Sequence, residues 1–338
     1  MNNLVVNTRC LGTTLTGSQR YVSSILKYVP YLKRIAPSRP LHGWKGHVWE
    51  QLVLPRRIKD DEFLWSPSHT GPIKMKRQVV TIHDLVPFDH PEWLKPSFVR
   101  AYRTIVPRVA RQARHIITIS EFTRERIEDI LEISPEKITV VPNGVDVPRA
   151  RATCQKSHPL FILALGSIEP RKNLARLLQA WATVAEDLSE YELWIAGGPG
   201  TSRVYQQVRL LLGPRVRVFG HVPEDELHHM LSCASLLAYP SLYEGFGLPP
   251  LEAMARGTPV LTSNVTALPE VVGSCAVLVD PQSTASIAAG LLQVLDTRSM
   301  RRLGRMGLER ACRLTWRQSA ERTIEVLTSA AGETDLTT

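Results

Sequence analysis

Two carboxylates eight positions apart, Glu244 and Glu252, bracket the run Glu244-Gly-Phe-Gly-Leu-Pro-Pro-Leu-Glu252. Gly245 and Gly247, on either side of Phe246, let backbone amides approach a ligand closely. Pro249 and Pro250, just after Leu248, suit a first helical turn that Gly257 ends. A helix start with free N–H groups favours an anion, most often phosphate. Carboxylates are poor phosphate ligands, so Glu244 and Glu252 are assigned to hydroxyls, those of a sugar and of a ribose. The stretch reads as a clamp for a nucleotide sugar. The plain alternative is a strand-to-helix turn whose acids do no more than stabilise the helix.

A second constellation has complementary chemistry. Gly166 ends a strand-like run, and Arg171-Lys172 stand before a helix that Asn173 is expected to cap. Arg offers a two-pronged fork and Lys a point charge, so the pair would neutralise a diphosphate. Such groups favour the transition state as a departing nucleoside diphosphate gains charge. His83-Asp84 closes another strand, at the end where ligands bind in parallel sheets. Gly17 precedes the first helix, at the end of a loop rich in Gly and Thr. Gly198 lies in a glycine run after a strand, and His221-Val222 follow a further one. Glu224-Asp-Glu226 looks like a paired-carboxylate metal motif but reads as a helix start, and His228-His229 are adjacent and point apart. There is no Asp-x-Asp motif. No metal and no other cofactor is expected; Lys and Arg take the cation's role.

The segment Glu244 to Val260, together with Gly166-Ser-Ile-Glu-Pro-Arg-Lys-Asn173, Leu268-Pro-Glu-Val-Val-Gly273, Thr81-Ile-His-Asp84 and Ile119-Ser-Glu-Phe-Thr-Arg124, closely resembles the retaining family 4 glycosyltransferases of the GT-B fold. The likeness spans nearly the whole chain. It implies an α/β protein of two Rossmann-like, doubly wound domains facing each other across a cleft. The implied reaction moves a hexose from a nucleoside-diphosphate sugar, UDP-glucose or GDP-mannose, to an acceptor hydroxyl in polysaccharide or glycolipid biosynthesis. Anomeric configuration is retained, and no carboxylate is evidently placed as a nucleophile, so attack is expected on the front face. The catalytic set is then His83, Arg171, Lys172 and Glu244, with His83 at the 6-hydroxyl of the donor sugar. The donor-binding set is Gly17, Gly166, Gly198, His221, Val222, Glu244, Gly245, Phe246, Gly247, Leu248 and Glu252. Within it Gly17 sits at the diphosphate, His221-Val222 touch the base, Glu244 takes the 3- and 4-hydroxyls and Glu252 the ribose. Some relatives carry Arg where this chain has Ser167, which leaves open how Arg171 and Lys172 divide the phosphates. Two rivals share these features, a nucleotide-sugar epimerase of the same fold and a nucleotide-sugar-binding subunit without catalysis.

The elements that must position these residues alternate strand and helix, which argues for parallel sheets covered by helices. In the first half strands are expected at Leu4–Thr8, Val48–Leu54, Glu62–Trp65, Val79–Ile82, Ile116–Ile119 and Lys137–Val141, with helices at Ser18–Lys33, Ser97–Ala113 and Glu121–Leu131. In the second half strands fit Leu160–Leu165, Glu192–Ala196, Val216–Phe219, Leu236–Tyr239, Pro259–Thr262 and Ala276–Val279. The matching helices are Leu174–Asp187, Arg203–Leu212, Glu224–Ser232, Pro250–Ala255 and Ser283–Leu295. The expected division is an acceptor-binding domain at 1–150, a linker near 147–158 and a nucleotide-sugar domain at 158–315. A helix at 316–330 completes the first domain, with fraying after Ser329.

Composition bounds the rest. A chain of 338 residues suits about two domains, and 43% hydrophobic content is enough for real cores. Five scattered cysteines with no ligand-like spacing point to reduced thiols in the cytoplasm. The amino terminus has no basic start and too short an apolar run to read as a signal peptide, so none is expected, and no run approaches the roughly 20 apolar residues of a membrane span. All of the formal charge of +9 lies in residues 1–150, which carry 23 Lys+Arg against 14 Asp+Glu, while residues 151–338 carry 18 of each. That half is expected to meet a glycan or lipid-linked glycan acceptor. An acidic membrane surface on the inner face is a further candidate partner of this basic half; the arginines of helix Ser97–Ala113 read first as a solvated face, with a membrane-surface role as the alternative. Nucleic acid is not assigned as a partner.

Overall fold

Leu4–Asn7, Phe63–Ser66 and Gln78–Ile82 are buried along their whole length, as strands covered on both faces must be. In the computed structural model, which describes residues 3–12, 17–148, 160–198 and 210–332, they lie at the centre of a six-stranded parallel sheet. Its order is β2 (Lys33–Ile35), β1 (Leu4–Asn7), β3 (Phe63–Ser66), β4 (Gln78–Ile82), β5 (His115–Thr118) and β6 (Ile138–Val140). After β1 the chain moves to one edge to form β2, then returns to form β3 on the other side of β1. Strand order therefore reverses between β1 and β3.

A second parallel sheet has the order β12 (Val277–Val279), β11 (Val260–Ser263), β10 (Leu236–Tyr239), β7 (Leu160–Leu165), β8 (Tyr191–Ala196) and β9 (Val216–Gly220). Here the reversal falls between β7 and β10, which pair directly through Leu236 and Ile162. Ligands of doubly wound sheets sit outside the carboxyl ends of strands at such reversals. The two reversals thus nominate two places in the chain before any side chain is considered.

The first unit comprises Met1–Asp89, Pro96–Gly144 and Thr315–Thr338; the second comprises His90–Lys95 and Val145–Leu314. The second begins earlier than the expected 158 and takes in 90–95, whose His90 ring stacks on Trp93 and meets Tyr243 edge-on at 5.6 Å. In the first unit the helices are α1 (Gly17–Tyr28), α2 (Trp44–Leu52), the single turn α3 (Val86–Asp89), α4 (Pro96–Gln112) and α5 (Glu121–Leu131). In the second they are α6 (Leu174–Val184), α7 (Glu224–Cys233), α8 (Leu248–Met254), α9 (Leu268–Val272), α10 (Thr284–Leu295) and α11 (Thr297–Ala311). The last helix, α12 (Trp316–Gly332), packs on α1. Ser319 Oγ on α12 donates to Pro142 O at 2.6 Å. An apolar cluster of the first unit joins Val80, Ile82 and Ile116 of the sheet to Val106 and Ile127 of α4 and α5. One of the second wraps Trp181 and Leu177 of α6 around Ile162 and Ile195.

Several expectations are corrected. Val48–Leu54 is not a strand: α2 covers most of it, because Gly46, Trp49 and Glu50 share one inward helical face. The helix expected to reach Lys33 stops at Tyr28, two residues before a proline that cannot continue it, and Lys33–Ile35 becomes an edge strand. α12 runs past Ser329 to Gly332. α9 and α11 have no counterpart among the expected helices, and most of Arg203–Leu212 lies outside the described residues. Cys10, Cys275 and Cys312 are free thiols, whereas Cys233 is disulfide-bonded, against the expectation of reduced cysteines.

Candidate active site

The reversal between β7 and β10 carries most of the chemistry. β7 ends at Leu165, and Gly166 turns the chain with φ +137, its backbone N–H donating to Ala196 O at 3.0 Å. The neighbouring Gly197 is compulsory, because a Cβ there would stand 2.0 Å from Gly166 O. A 3-10 turn, Pro170–Lys172, then delivers Arg171 and Lys172. Asn173 occupies the N-cap position of α6 but does not cap it. Its backbone is left-handed, and its side-chain amide donates instead to Pro240 O and Pro281 O at 3.0 and 2.7 Å. This amide ties the Arg-Lys turn to the loop after β10, and the backbone N–H of Leu242 adds a bond to Arg171 O at 2.8 Å.

From β10 the chain passes through Pro240 and Ser241 to Glu244. The carboxylate of Glu244 is buried and receives Lys172 Nζ on Oε1 at 2.6 Å and Arg171 Nη1 on Oε2 at 3.1 Å. The Tyr239 hydroxyl also donates to Oε1 at 2.8 Å and itself receives Lys172 Nζ at 2.5 Å. Arg171 reaches a second buried carboxylate, Glu169, at 2.9 and 3.0 Å. Four charges, two of each sign, therefore meet at one strand end. Burial opposes the charge on Glu244, but Arg171, Lys172 and the two hydrogen bonds on Oε1 outweigh it and hold the carboxyl at about 2. Burial and the neighbouring Arg171 lower Lys172, against the pull of Glu244 and Glu169. Tyr239 is pushed well above its ordinary value by burial and by Glu244.

Gly245, Phe246 and Gly247 continue from Glu244 into α8, with Leu248 as its first residue and prolines following. Gly247 has φ +106, and a Cβ there would press on Leu268 at 2.7 Å. α8 has seven residues and buries Glu252, whose backbone carbonyl accepts from Arg256 at 2.8 Å. Gly198 follows β8, and a Cβ on it would lie 3.7 Å from the backbone nitrogen of His221, so these two residues are neighbours. His221 is exposed and Val222 partly so. Among the described residues no group of three or more His, Cys, Asp or Glu side chains could hold a metal ion.

His83 and Gly17 belong to the first unit. Gly17 opens α1, with open space where a Cβ would be. His83 is buried at the end of β4 and contacts Tyr21 edge-on at 4.8 Å. Its Nε2 lies 2.8 Å from Pro67 O, and a carbonyl can only accept, so Nε2 carries the proton and Nδ1 keeps its lone pair. Burial, with His69 nearby, lowers the ring to about 3. A cavity of about 520 Å³ near Arg114, Lys137 and Glu325 lies at the amino ends of β5 and β6, away from both reversals.

Sequence reasoning did not single out Tyr239 or Glu169. Tyr239 is the one polar side chain in an otherwise aliphatic strand, a signal available before the fold. Glu169 offered none, since an acid before a proline reads as a turn.

Residues 150–329 match the family described as glycosyl transferases group 1, and residues 60–149 match glycosyltransferase family 4. The O-antigen chain mannosyltransferase B of Escherichia coli is 33% identical over 295 residues, covering 81% of this chain and 77% of its own length. The MMP alpha-(1->4)-mannosyltransferase of Mycolicibacterium hassiacum is 34% identical over 246 residues, covering 70% of this chain and 60% of its own. Among solved structures, sucrose-phosphate synthase from Thermosynechococcus elongatus superposes with a TM-score of 0.75 at 18% identity, over 97% of this chain and 99% of its own. Anabaena HepE, solved with UDP and glucose, gives a TM-score of 0.74 at 16% identity, over 97% and 100%. These likenesses show the GT-B fold expected from the motifs.

Proposed function

This chain belongs to the glycosyl transferases group 1 family, and from that premise we propose that it is a retaining hexosyltransferase acting in polysaccharide biosynthesis. The donor is a nucleoside-diphosphate sugar, GDP-mannose or UDP-glucose. The relatives' descriptions as mannosyltransferases favour mannose as the sugar moved. The observation that carries the reading is the buried cluster of Glu169, Arg171, Lys172, Tyr239 and Glu244 at the reversal of the second sheet.

In this reading Lys172 and Arg171 turn from Glu244 toward the diphosphate as it enters, and their charges stabilise it as the glycosidic C–O bond breaks. Glu244, released from one or both cations, accepts hydrogen bonds from the 3- and 4-hydroxyls of the hexose. Gly245, Phe246, Gly247 and Leu248 supply backbone amides beside it, and Glu252 takes the ribose. Gly166, Gly198, His221, Val222 and Gly17 line the nucleotide, and His83 contacts the sugar through Nδ1.

In this reading Glu244 is committed to the hydroxyls of the hexose and is not free to serve as nucleophile or base. This supports a front-face route, in which the leaving phosphate oxygen takes the acceptor's proton as the new C–O bond forms on the same face. Two cations do the charge work that a metal ion does elsewhere, so transfer proceeds without metal. The acceptor is a glycan or lipid-linked glycan. Among the described residues no helix is long and apolar enough to cross a membrane. An acidic membrane surface is the partner proposed for the basic first 150 residues.

The test is incubation with GDP-mannose or UDP-glucose, with and without methyl α-D-mannopyranoside. Released nucleoside diphosphate is quantified and the product's anomeric configuration read by NMR. Donor-derived α-linked product in EDTA supports the reading. A β-linked product, an absolute metal requirement, or conversion of the donor sugar to its epimer with no acceptor present refutes it.

A further inference from the structure

The order reversal of the first sheet, between β1 and β3, is a second strand-end site by the same rule that locates the first. The chain leaving β3 there reads Pro67-Ser68-His69-Thr70. Thr70 N–H donates to Ser68 O at 2.6 Å, closing a three-residue turn, and His69 at its apex has φ +59. A γ-turn of this sign is rare and strained for any residue but glycine. The conformation is held from three sides: His69 N–H donates to Thr81 O at 2.8 Å, the Thr70 hydroxyl donates to Glu50 Oε2 at 2.9 Å, and Arg9 Nη2 donates to Thr70 Oγ1 at 3.3 Å. Strain kept in place at a strand end is a reason to ask what the side chain does.

The His69 ring is only partly buried and lies 4.9 Å from that of His83, edge-on. Its Nδ1 is hydrogen-bonded to the hydroxyl of Tyr102 on α4, and that hydroxyl donates to Asp84 O at 3.1 Å. A hydroxyl has one proton to give. Assigning that proton to Asp84 O makes His69 Nδ1 the donor to Tyr102 and leaves Nε2 with its lone pair. His83 is fixed the opposite way, Nε2–H on Pro67 O and Nδ1 as acceptor. Burial lowers His69 to about 4 and His83 to about 3, so both rings are neutral at neutral pH. Two neutral rings, each left with one acceptor nitrogen, suit hydroxyl groups and repel anions.

We propose that His69 contacts the acceptor saccharide, taking a hydrogen bond at Nε2 from one of its hydroxyls, with Tyr102 as the positioning residue that fixes the tautomer. This rests on the glycosyl-transfer reading above. His69 lies outside the sequence motifs; its positive φ and its hydrogen bonds mark it.

The test uses the full chain with GDP-mannose or UDP-glucose as donor and methyl α-D-mannopyranoside or methyl α-D-glucopyranoside as acceptor. His69→Asn keeps a residue type that, like His, is enriched at positive φ, and is expected to raise the acceptor KM about tenfold while the donor KM moves less than about twofold. Tyr102→Phe leaves the ring but frees its tautomer, and is expected to raise the acceptor KM about threefold. A second measurement needs no turnover: long-range 1H–15N NMR of imidazole-labelled protein should show His69 as the Nδ1–H tautomer, with Nε2 shifting on addition of the glycosides. An Nε2–H tautomer, an Nε2 resonance unmoved by both glycosides, or donor and acceptor KM rising together in His69→Asn overturns the inference. Wild-type protein that consumes neither donor overturns the glycosyl-transfer reading instead, and the NMR result still decides the role of His69.

Discussion

Replacing Lys172 with Ala removes one ammonium that serves two acceptors, Glu244 Oε1 at 2.6 Å and Tyr239 Oη at 2.5 Å. Two costs follow, and they fall on different readouts. In the unliganded protein Glu244 keeps Arg171, but Arg171 is shared with Glu169, so a buried carboxylate loses part of its compensation. Breaking one side of a buried pair costs about 3–5 kcal/mol, and with side-chain exposures of 10% and 8% this pair merits no discount for solvent. At a few degrees per kcal/mol, a loss of about 3 kcal/mol lowers the melting temperature by roughly 6–12 °C. If Lys172 holds the leaving diphosphate as proposed, the transition state also loses a cation, which costs about 10²- to 10³-fold in kcat. The assay is nucleoside diphosphate release per folded molecule, below the melting transition of the variant. Lys172→Arg keeps the charge but not its shape, and should fall between the two. Turnover of Lys172→Ala within about threefold of wild type, or a loss that merely tracks the unfolded fraction, refutes the assignment of Lys172 to the diphosphate.

Tyr239→Phe deletes the hydroxyl that joins Lys172 to Glu244 and should cost about 1–3 kcal/mol in a denaturant melt. An unchanged midpoint would mean the hydroxyl is replaced by water at no cost. Gly197→Ala puts a Cβ 2.0 Å from Gly166 O at a positive φ, so it should yield either no soluble protein or a second sheet that melts well below wild type. Acid melts should show two phases. From pH 6.5 down to about 4, unfolded chains protonate the equivalents of His69 and His83 while the folded protein leaves both rings neutral. Stability therefore falls as pH drops, by up to about 2.7 kcal/mol per pH unit for two protons. Below about 4.5 Glu244 stays charged down to about 2 while its unfolded counterpart takes a proton, and more stability is lost across that window. His83→Gln should flatten the upper phase; an unchanged slope contradicts its burial as a neutral ring.

The charged cluster where β7 and β10 end was largely legible in the sequence, because there residue chemistry and local structure coincide. The glycines, the double proline and the paired cations each constrain backbone and function together, so Gly166, Lys172 and Glu244 could be named as a set. What the residue string did not carry was which charges meet. Glu244 was expected to face hydroxyls, yet it binds both cations, a pairing that depends on β7 and β10 being neighbours although Ile162 and Leu236 are 74 positions apart in the chain. Tyr239 and Glu169 were hidden for the same reason. Asn173 was read as a helix cap from its type and position; its tertiary bonds to Pro240 and Pro281 carbonyls override that local preference. In the first unit, Val48–Leu54 misled because β-branched and apolar residues outweighed the 46, 49, 50 spacing that the buried Glu50 anchors. His69 gave no sequence signal at all, since its meaning lies in a backbone angle.

The central claim is that Arg171 and Lys172 leave Glu244 to hold a diphosphate. A crystal structure with GDP or UDP bound tests it most directly. The β-phosphate is expected within about 3 Å of Lys172 Nζ or the Arg171 guanidinium, with at least one of their present bonds to Glu244 broken. A nucleotide bound elsewhere, with both cations still on Glu244 as they are now, would contradict it.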